Sequence, residues 1–147
     1  MNVPYVHEGR GRLAWRKRPA ALVAVGAAHL LSRRSPERIR GTLAYARTGA
    51  RPATERQARQ ARDAVVAVSI SCAGEGCLPR SIATALLCRM HGTWPTWRTG
   101  VHLYPFSAHA WVEADGVAVG EPHPPGYYSP TLTVEPAPGG RQRKTRR

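Results

Sequence analysis

Cys77 heads the stretch CLPRSIATALLCRMHG, residues 77–92, directly after the glycine-broken run SCAGEG. A cysteine that opens a helix meets unpaired backbone N–H groups and the positive end of the helix dipole. Both favour the thiolate, which is the nucleophilic form. Such a cysteine needs a base that takes and returns a proton near neutral pH, and histidine suits that task. His109, which opens HAWVEADGVAVGEP at residues 109–122, is the candidate. A third group must orient the imidazole and stabilise its charged form, and the acids within reach in sequence are Glu113, Asp115 and Glu121.

Strand geometry ranks the three. If the hairpin closes through Ala114-Asp115-Gly116, Glu113 faces Val117 and His109 faces Glu121, with directly opposed Cβ atoms about 5 Å apart. Asp115 then lies about 20 Å along the strand from His109 and serves the turn. Glu113 shares the His109 face but sits two pairs away. A two-residue loop would set His109 against Pro122, and Glu121 would need a bulge to reach it. Glu121 is therefore the first choice as the acid, with Glu113 and Asp115 as alternatives. Cys88, one turn before the end of the Cys77 helix, reads as a small core residue. Cys72 is open to a structural role or a place in the cleft wall.

The elements that must position these groups are legible in outline. PAALVAVGAAHLLSR predicts a first helix opening at Pro19. Ser35 as N-cap, Pro36 at the first position and Glu37 in the first turn predict a second, stopped by Gly49. Thr54 caps a third helix that carries a basic face of Arg56, Arg59 and Arg62 and ends near Val68. A fourth runs from about Leu78 to His91, with Leu78, Ile82, Leu86 and Met90 on one face and Gly92 beyond it. The period then changes to short aromatic and β-branched stretches, with Asp115-Gly116 as a hairpin turn. From Pro122 the Pro and Gly density rises, and GGRQRKTRR reads as a disordered basic tail. The division is a helical segment over 1–69, a catalytic core over 70–135 and a tail over 136–147.

The chain has 147 residues, enough for one ordinary domain. Twenty-two basic against nine acidic side chains give +13, nearly all of it from arginine, so an anionic partner has to be considered. Three cysteines are an odd number, and no charged-then-apolar leader opens the chain; the expectation is a reduced, cytoplasmic protein. The uncharged run Pro19–Ser32 is too short to cross a bilayer, so no membrane role is expected.

Cysteine on a helix N-terminus, then histidine on one strand and a carboxylate on the next, is the order of papain-like and transglutaminase-like folds. Over about residues 70–122 the chain resembles the leader peptidases of lasso-peptide biosynthesis, in the stand-alone form found where that function is split over two chains. Cys77, His109 and the HAWVE context carry the likeness. It implies an α+β fold, with a nucleophile helix packed on a small antiparallel sheet after a helical N-terminal segment. It also implies cleavage of the leader from a ribosomally made precursor, which releases the core peptide's amine for a separate macrolactam-forming enzyme. The implied partners are the precursor leader, a small leader-binding protein and the macrolactam synthetase; no cofactor is implied. The family's usual acid is Asp, and Glu121 stands here with one more methylene.

Each group also has a plain structural reading. A cysteine opening an apolar helix is most often packing, and a lone strand histidine is most often structural. His91, His102 and His123 have ordinary places at a helix end, on a strand face and in a proline-rich loop. Trp111, on the His109 face, is either a shield for the His-carboxylate pair or core. Trp94 and Trp97 either line a peptide groove or cover a sheet edge. Zinc binding by the cysteines lacks C-x-x-C pairs. A basic nucleic-acid- or protein-binding module without catalysis is the alternative function, but the arginines lack aromatic interleaving, and nucleic acid is not the expected partner. Helices one to three, with Arg56, Arg59 and Arg62, are the expected docking side.

Overall fold

A computed structural model describes residues 13–69, 72, 74 and 76–138. The basic tail from 139 onward falls outside them, as does most of the loop before Cys77.

Pro19 in the first turn starts α1 (Arg18–Ser32), which follows a short 3-10 turn at Trp15–Lys17. Pro36 starts α2 (Pro36–Ala46); Ser35 occupies the N-cap position, but its side chain makes no capping bond. In α3 (Glu55–Val68) the Thr54 side chain accepts from the Gln57 N–H while the Gln57 side chain accepts from the Thr54 N–H, a complete capping box. Two N-terminal donors are thereby satisfied.

α4 (Cys77–Met90) is the central helix and begins one residue earlier than its apolar pattern predicts. It is buried on more than one stripe. Ile82 is fully enclosed, but so are Ala83, Thr84, Ala85, Leu87 and Cys88, while Met90 is exposed. The four-residue apolar spacing marks only part of its buried surface, because α1 and α3 cover one side and the sheet the other. Arg89 in its last turn donates to the Ala46 carbonyl at 2.7 Å and the Thr48 carbonyl at 3.1 Å, closing the C-terminal end of α2.

β1 (Arg51–Pro52) pairs in parallel with β2 (Thr93–Trp94). The main sheet is antiparallel, in the order β5-β4-β3-β6, from β3 (Thr96–Leu103), β4 (Phe106–Ala114), β5 (Val117–Ala118) and β6 (Ser129–Val134). β6 lies in the region whose Pro and Gly content hid it, and it holds Pro130 because it is an edge strand. The α+β expectation, a nucleophile-bearing helix on a small antiparallel sheet behind an N-terminal helical segment, matches this architecture.

Residues from α1 to β6 form one core cluster. Trp94 and Trp97 sit at its centre, fully buried, so neither walls a groove nor covers an edge. Their indole N–H groups are satisfied by the Val134 carbonyl at 3.2 Å and the Ser81 hydroxyl at 3.0 Å. Arg56 and Arg59 stay outside, but Arg62 turns inward and is buried, so the basic face of α3 is narrower than its spacing suggests.

Candidate active site

α4 brings its first residue to the edge of β4 that faces away from β3. On that edge the Val112 carbonyl accepts from the Val119 N–H, and two residues earlier the Ala110 N–H meets the Cys77 sulfur. Cys77 also hydrogen-bonds the His109 ring. On the far side of that ring, Nε2 meets Glu121 Oε2 at 2.5 Å. With Nε2 taken by the carboxylate, Nδ1 is the nitrogen left for the thiol. Cys77, His109 and Glu121 thus lie in one continuous chain of contacts, with His109 and Glu121 largely withdrawn from water.

Glu121 arrives by a different route from the three-residue loop. Asp115 (φ 52) and Gly116 (φ 75) form a two-residue turn, and Glu113 pairs with Ala118 and Ala114 with Val117. Continued along the strands, that register sets His109 against Pro122. The ladder does not continue: β5 ends at Ala118, and Gly120 takes a positive φ of 67, which swings Glu121 onto His109. The positive φ favours glycine there, and a Cβ at Gly120 would lie 2.6 Å from the Arg62 guanidinium carbon, so that side chain would have to shift. The buried Arg62 thus fills the space beneath the corner that delivers the acid.

The two other acids are occupied elsewhere. Glu113 accepts from Arg98 Nε at 3.0 Å and from Trp111 Nε1 at 2.9 Å. Asp115 accepts from the Glu55 N–H at 2.8 Å, placing a carboxylate at the N-terminus of α3.

Burial alone would push the Cys77 thiol up. Hydrogen bonds from His109 and the Ala110 N–H, with the charges of His109 and Arg80, outweigh it and hold the thiol below its ordinary value. Burial likewise disfavours a charged His109, but its bonds to Cys77 and Glu121 and their charges raise it to about 9. The two directions together favour the thiolate–imidazolium form of the pair over its neutral form. Arg80, one turn into α4, also donates to the Cys72 and Gly74 carbonyls at 3.3 and 3.4 Å, linking those two residues to the helix that begins at Cys77. Cys88 is the opposite case: burial pushes it up to about 12, although Thr93 hydrogen-bonds it.

The His109 ring lies in an aromatic cluster that sequence reading found only in part. Trp111 is nearly parallel to it at 5.9 Å, in the shielding position. Tyr128 stacks on it at 5.0 Å and His123 meets it edge-on at 6.4 Å. Tyr127 stacks on both His123 and His102. The signal for Trp111 is strand alternation, which puts it on the His109 face; across the sheet Gly100 makes room for it, since a Cβ there would lie 2.8 Å from the Trp111 ring. Beside the pair opens a cleft of about 370 Å³ lined by Trp111, Val117, His123, Pro125, Tyr127 and Tyr128 among others. Among the described residues no cluster of His, Cys, Asp and Glu is arranged to hold a metal ion, and no helix is long and apolar enough to cross a membrane.

A nucleophile helix and an antiparallel sheet that together align cysteine, histidine and carboxylate form an acyl-transfer arrangement. In comparisons with known proteins, the domain model of the transglutaminase-like superfamily matches residues 21–133. No curated protein and no solved structure matches the chain.

Proposed function

Since the chain belongs to the transglutaminase-like superfamily, which includes cysteine peptidases and transglutaminases, we propose that it is a cysteine endopeptidase that removes the leader from a ribosomally made lasso-peptide precursor. The observation that carries the catalytic part is the continuous Cys77–His109–Glu121 contact, with the thiol lowered and the imidazole raised. The resemblance of residues 70–122 to stand-alone leader peptidases supports the substrate. It also supplies the partners: the precursor leader, a small leader-binding protein and, downstream, a macrolactam-forming enzyme.

In this reading the Cys77 thiolate attacks the scissile carbonyl carbon. The oxyanion is met by backbone N–H groups at the start of α4, where Pro79 contributes none. The carbon–nitrogen bond then breaks, and the imidazolium gives its Nδ1 proton to the leaving amine, which becomes the new N-terminus of the core peptide. Water next attacks the thioester, passing its proton to His109, and the leader departs with a free carboxylate. Glu121 keeps the imidazole oriented and offsets its charge throughout. Trp111 and Tyr128 limit water around the ring, which strengthens both interactions.

The test is mass spectrometry of the precursor after incubation with this protein and the leader-binding protein, wild type against Cys77→Ala. One cut at the leader–core junction, lost in the variant, is the expected result. Equal cleavage by both removes Cys77 from the mechanism. No cleavage by either folded protein favours the alternative of a basic binding module without catalysis.

A further inference from the structure

The outer face of α1 is apolar from end to end. Pro19, Leu22, Val23, Gly26, Ala27 and Leu30 are all exposed, on positions that follow the helical repeat, while Ala21, Ala24, Val25 and Ala28 fill the core on the opposite side. The run Pro19–Ser32 contains no Lys, Arg, Asp or Glu in a chain that is 21% charged. Trp15, 75% exposed, sits one turn before Pro19. From Trp15 to Leu30 the stripe is about 22 Å long at the helical rise. A helix apolar all round is ordinarily enclosed on every side.

Two further features say what covers it. Gly26 stands mid-helix, where glycine costs about 1 kcal/mol against alanine, yet an added Cβ would meet nothing within 4 Å. No packing within the described residues calls for a glycine there, whereas close approach of another backbone would. The stripe is also framed by positive charge: Arg16, Lys17 and Arg18 at its start, and Arg33 and Arg34 at its end. No acid occupies the first turn of α1. Basic residues at a helix N-terminus oppose the dipole, so helix stability does not explain the leading three. A second copy of this +13 chain would bring the same charges against them.

We infer that the outer face of α1, with Trp15, is a docking surface for a partner protein that presents an apolar ridge flanked by acidic side chains. Gly26 and Ala27 form the shallow floor that admits the ridge, Leu22, Val23 and Leu30 its walls, and Trp15 an anchor of the kind that dominates interface energetics. The identity of the partner rests on the peptidase reading, in which it is the small leader-binding protein. The surface lies on an element other than those that carry Cys77, His109 and Glu121.

The experiment is calorimetric titration of the leader-binding protein into wild type, Leu22→Glu/Leu30→Glu and Gly26→Leu. Iodoacetamide labelling of Cys77 and thermal melts serve as controls for site and fold. The expected result is salt-sensitive binding that weakens at least about 30-fold in both variants, with Cys77 labelling unchanged. Gly26→Leu should melt no lower than wild type, because it adds a better helix former in open space. Undiminished binding in the variants, or no binding by wild type, overturns the proposal. So does wild-type dimerisation in sedimentation that both variants abolish, or flotation with phosphatidylglycerol vesicles that they abolish. Cleavage of the precursor by the protein alone, scored separately, tests the peptidase reading independently of this surface.

Discussion

The two ends of α4 carry the same side chain in opposite surroundings. Cys77 meets the Ala110 N–H, His109 and the charge of Arg80, and its thiol is lowered despite burial. Cys88, eleven residues on, is more deeply buried and has no cation to lower it, and its thiol rises to about 12. Burial raises a thiol, and at Cys77 hydrogen-bond donors and nearby cations together outweigh it. The same contrast separates the acids: Glu121 meets His109, while Glu113, on the neighbouring stretch of the same hairpin, is committed to Arg98 and Trp111.

Exchanging the two cysteines is the strongest way to break this comparison. Cys77→Ala should abolish precursor cleavage, a loss on the order of 10⁶-fold, and leave the melting temperature nearly intact. Cys88→Ala should keep full cleavage and lose about 1 kcal/mol in denaturant unfolding. Reversal of either pair of outcomes would place the reactive thiol at the wrong end of the helix.

The acids give the next largest difference. Glu121→Gln should lower cleavage about 10²-fold and move the His109 titration, followed by ring proton resonances, from about 9 down toward 6.5. Glu113→Gln should leave both unchanged and cost about 1 kcal/mol through its partly exposed ion pair with Arg98. Wild-type activity should rise with pH as the thiol ionises below its usual value. It should fall again near pH 9, where His109 loses the proton it must give to the leaving amine. Because the two groups are coupled, both limbs belong to the pair.

Arg80→Met should shift the rising limb to higher pH and slow cleavage a few-fold, since it removes one cation and frees the Cys72 and Gly74 carbonyls. The smallest effect is expected from Asp115→Asn, which tolerates the left-handed turn and removes only a charge from the start of α3. About 0.5 kcal/mol of stability should go, with no change in cleavage.

Local rules made the helices legible. Pro19, Pro36 and Thr54 mark starts that depend only on nearby backbone, and Asp115-Gly116 marks its turn for the same reason. The sheet was harder to read because its decisive features are contacts between distant residues. Edge placement licenses Pro130 in β6, and the indole partners of Trp94 and Trp97 are Val134 and Ser81, 40 and 16 residues away. The route of Glu121 depends on Gly120 turning over a buried arginine from α3, and nothing adjacent in sequence signals that. The two-residue turn carries the requirement that Glu121 leave the regular register to reach His109, and the structure meets it with a corner at Gly120. Tyr127 and Tyr128 went unread because aromatics in a proline-rich loop carry no period to place them.

Site-resolved alkylation of Cys77 against pH, by iodoacetamide and peptide mass spectrometry on the folded protein, tests the central claim most directly. Cys77 labelling should rise with a midpoint below the ordinary thiol value and that midpoint should move up in His109→Ala, while Cys88 stays unlabelled until the protein unfolds. A Cys77 midpoint at or above 9, indifferent to His109, would contradict the thiolate–imidazolium pair.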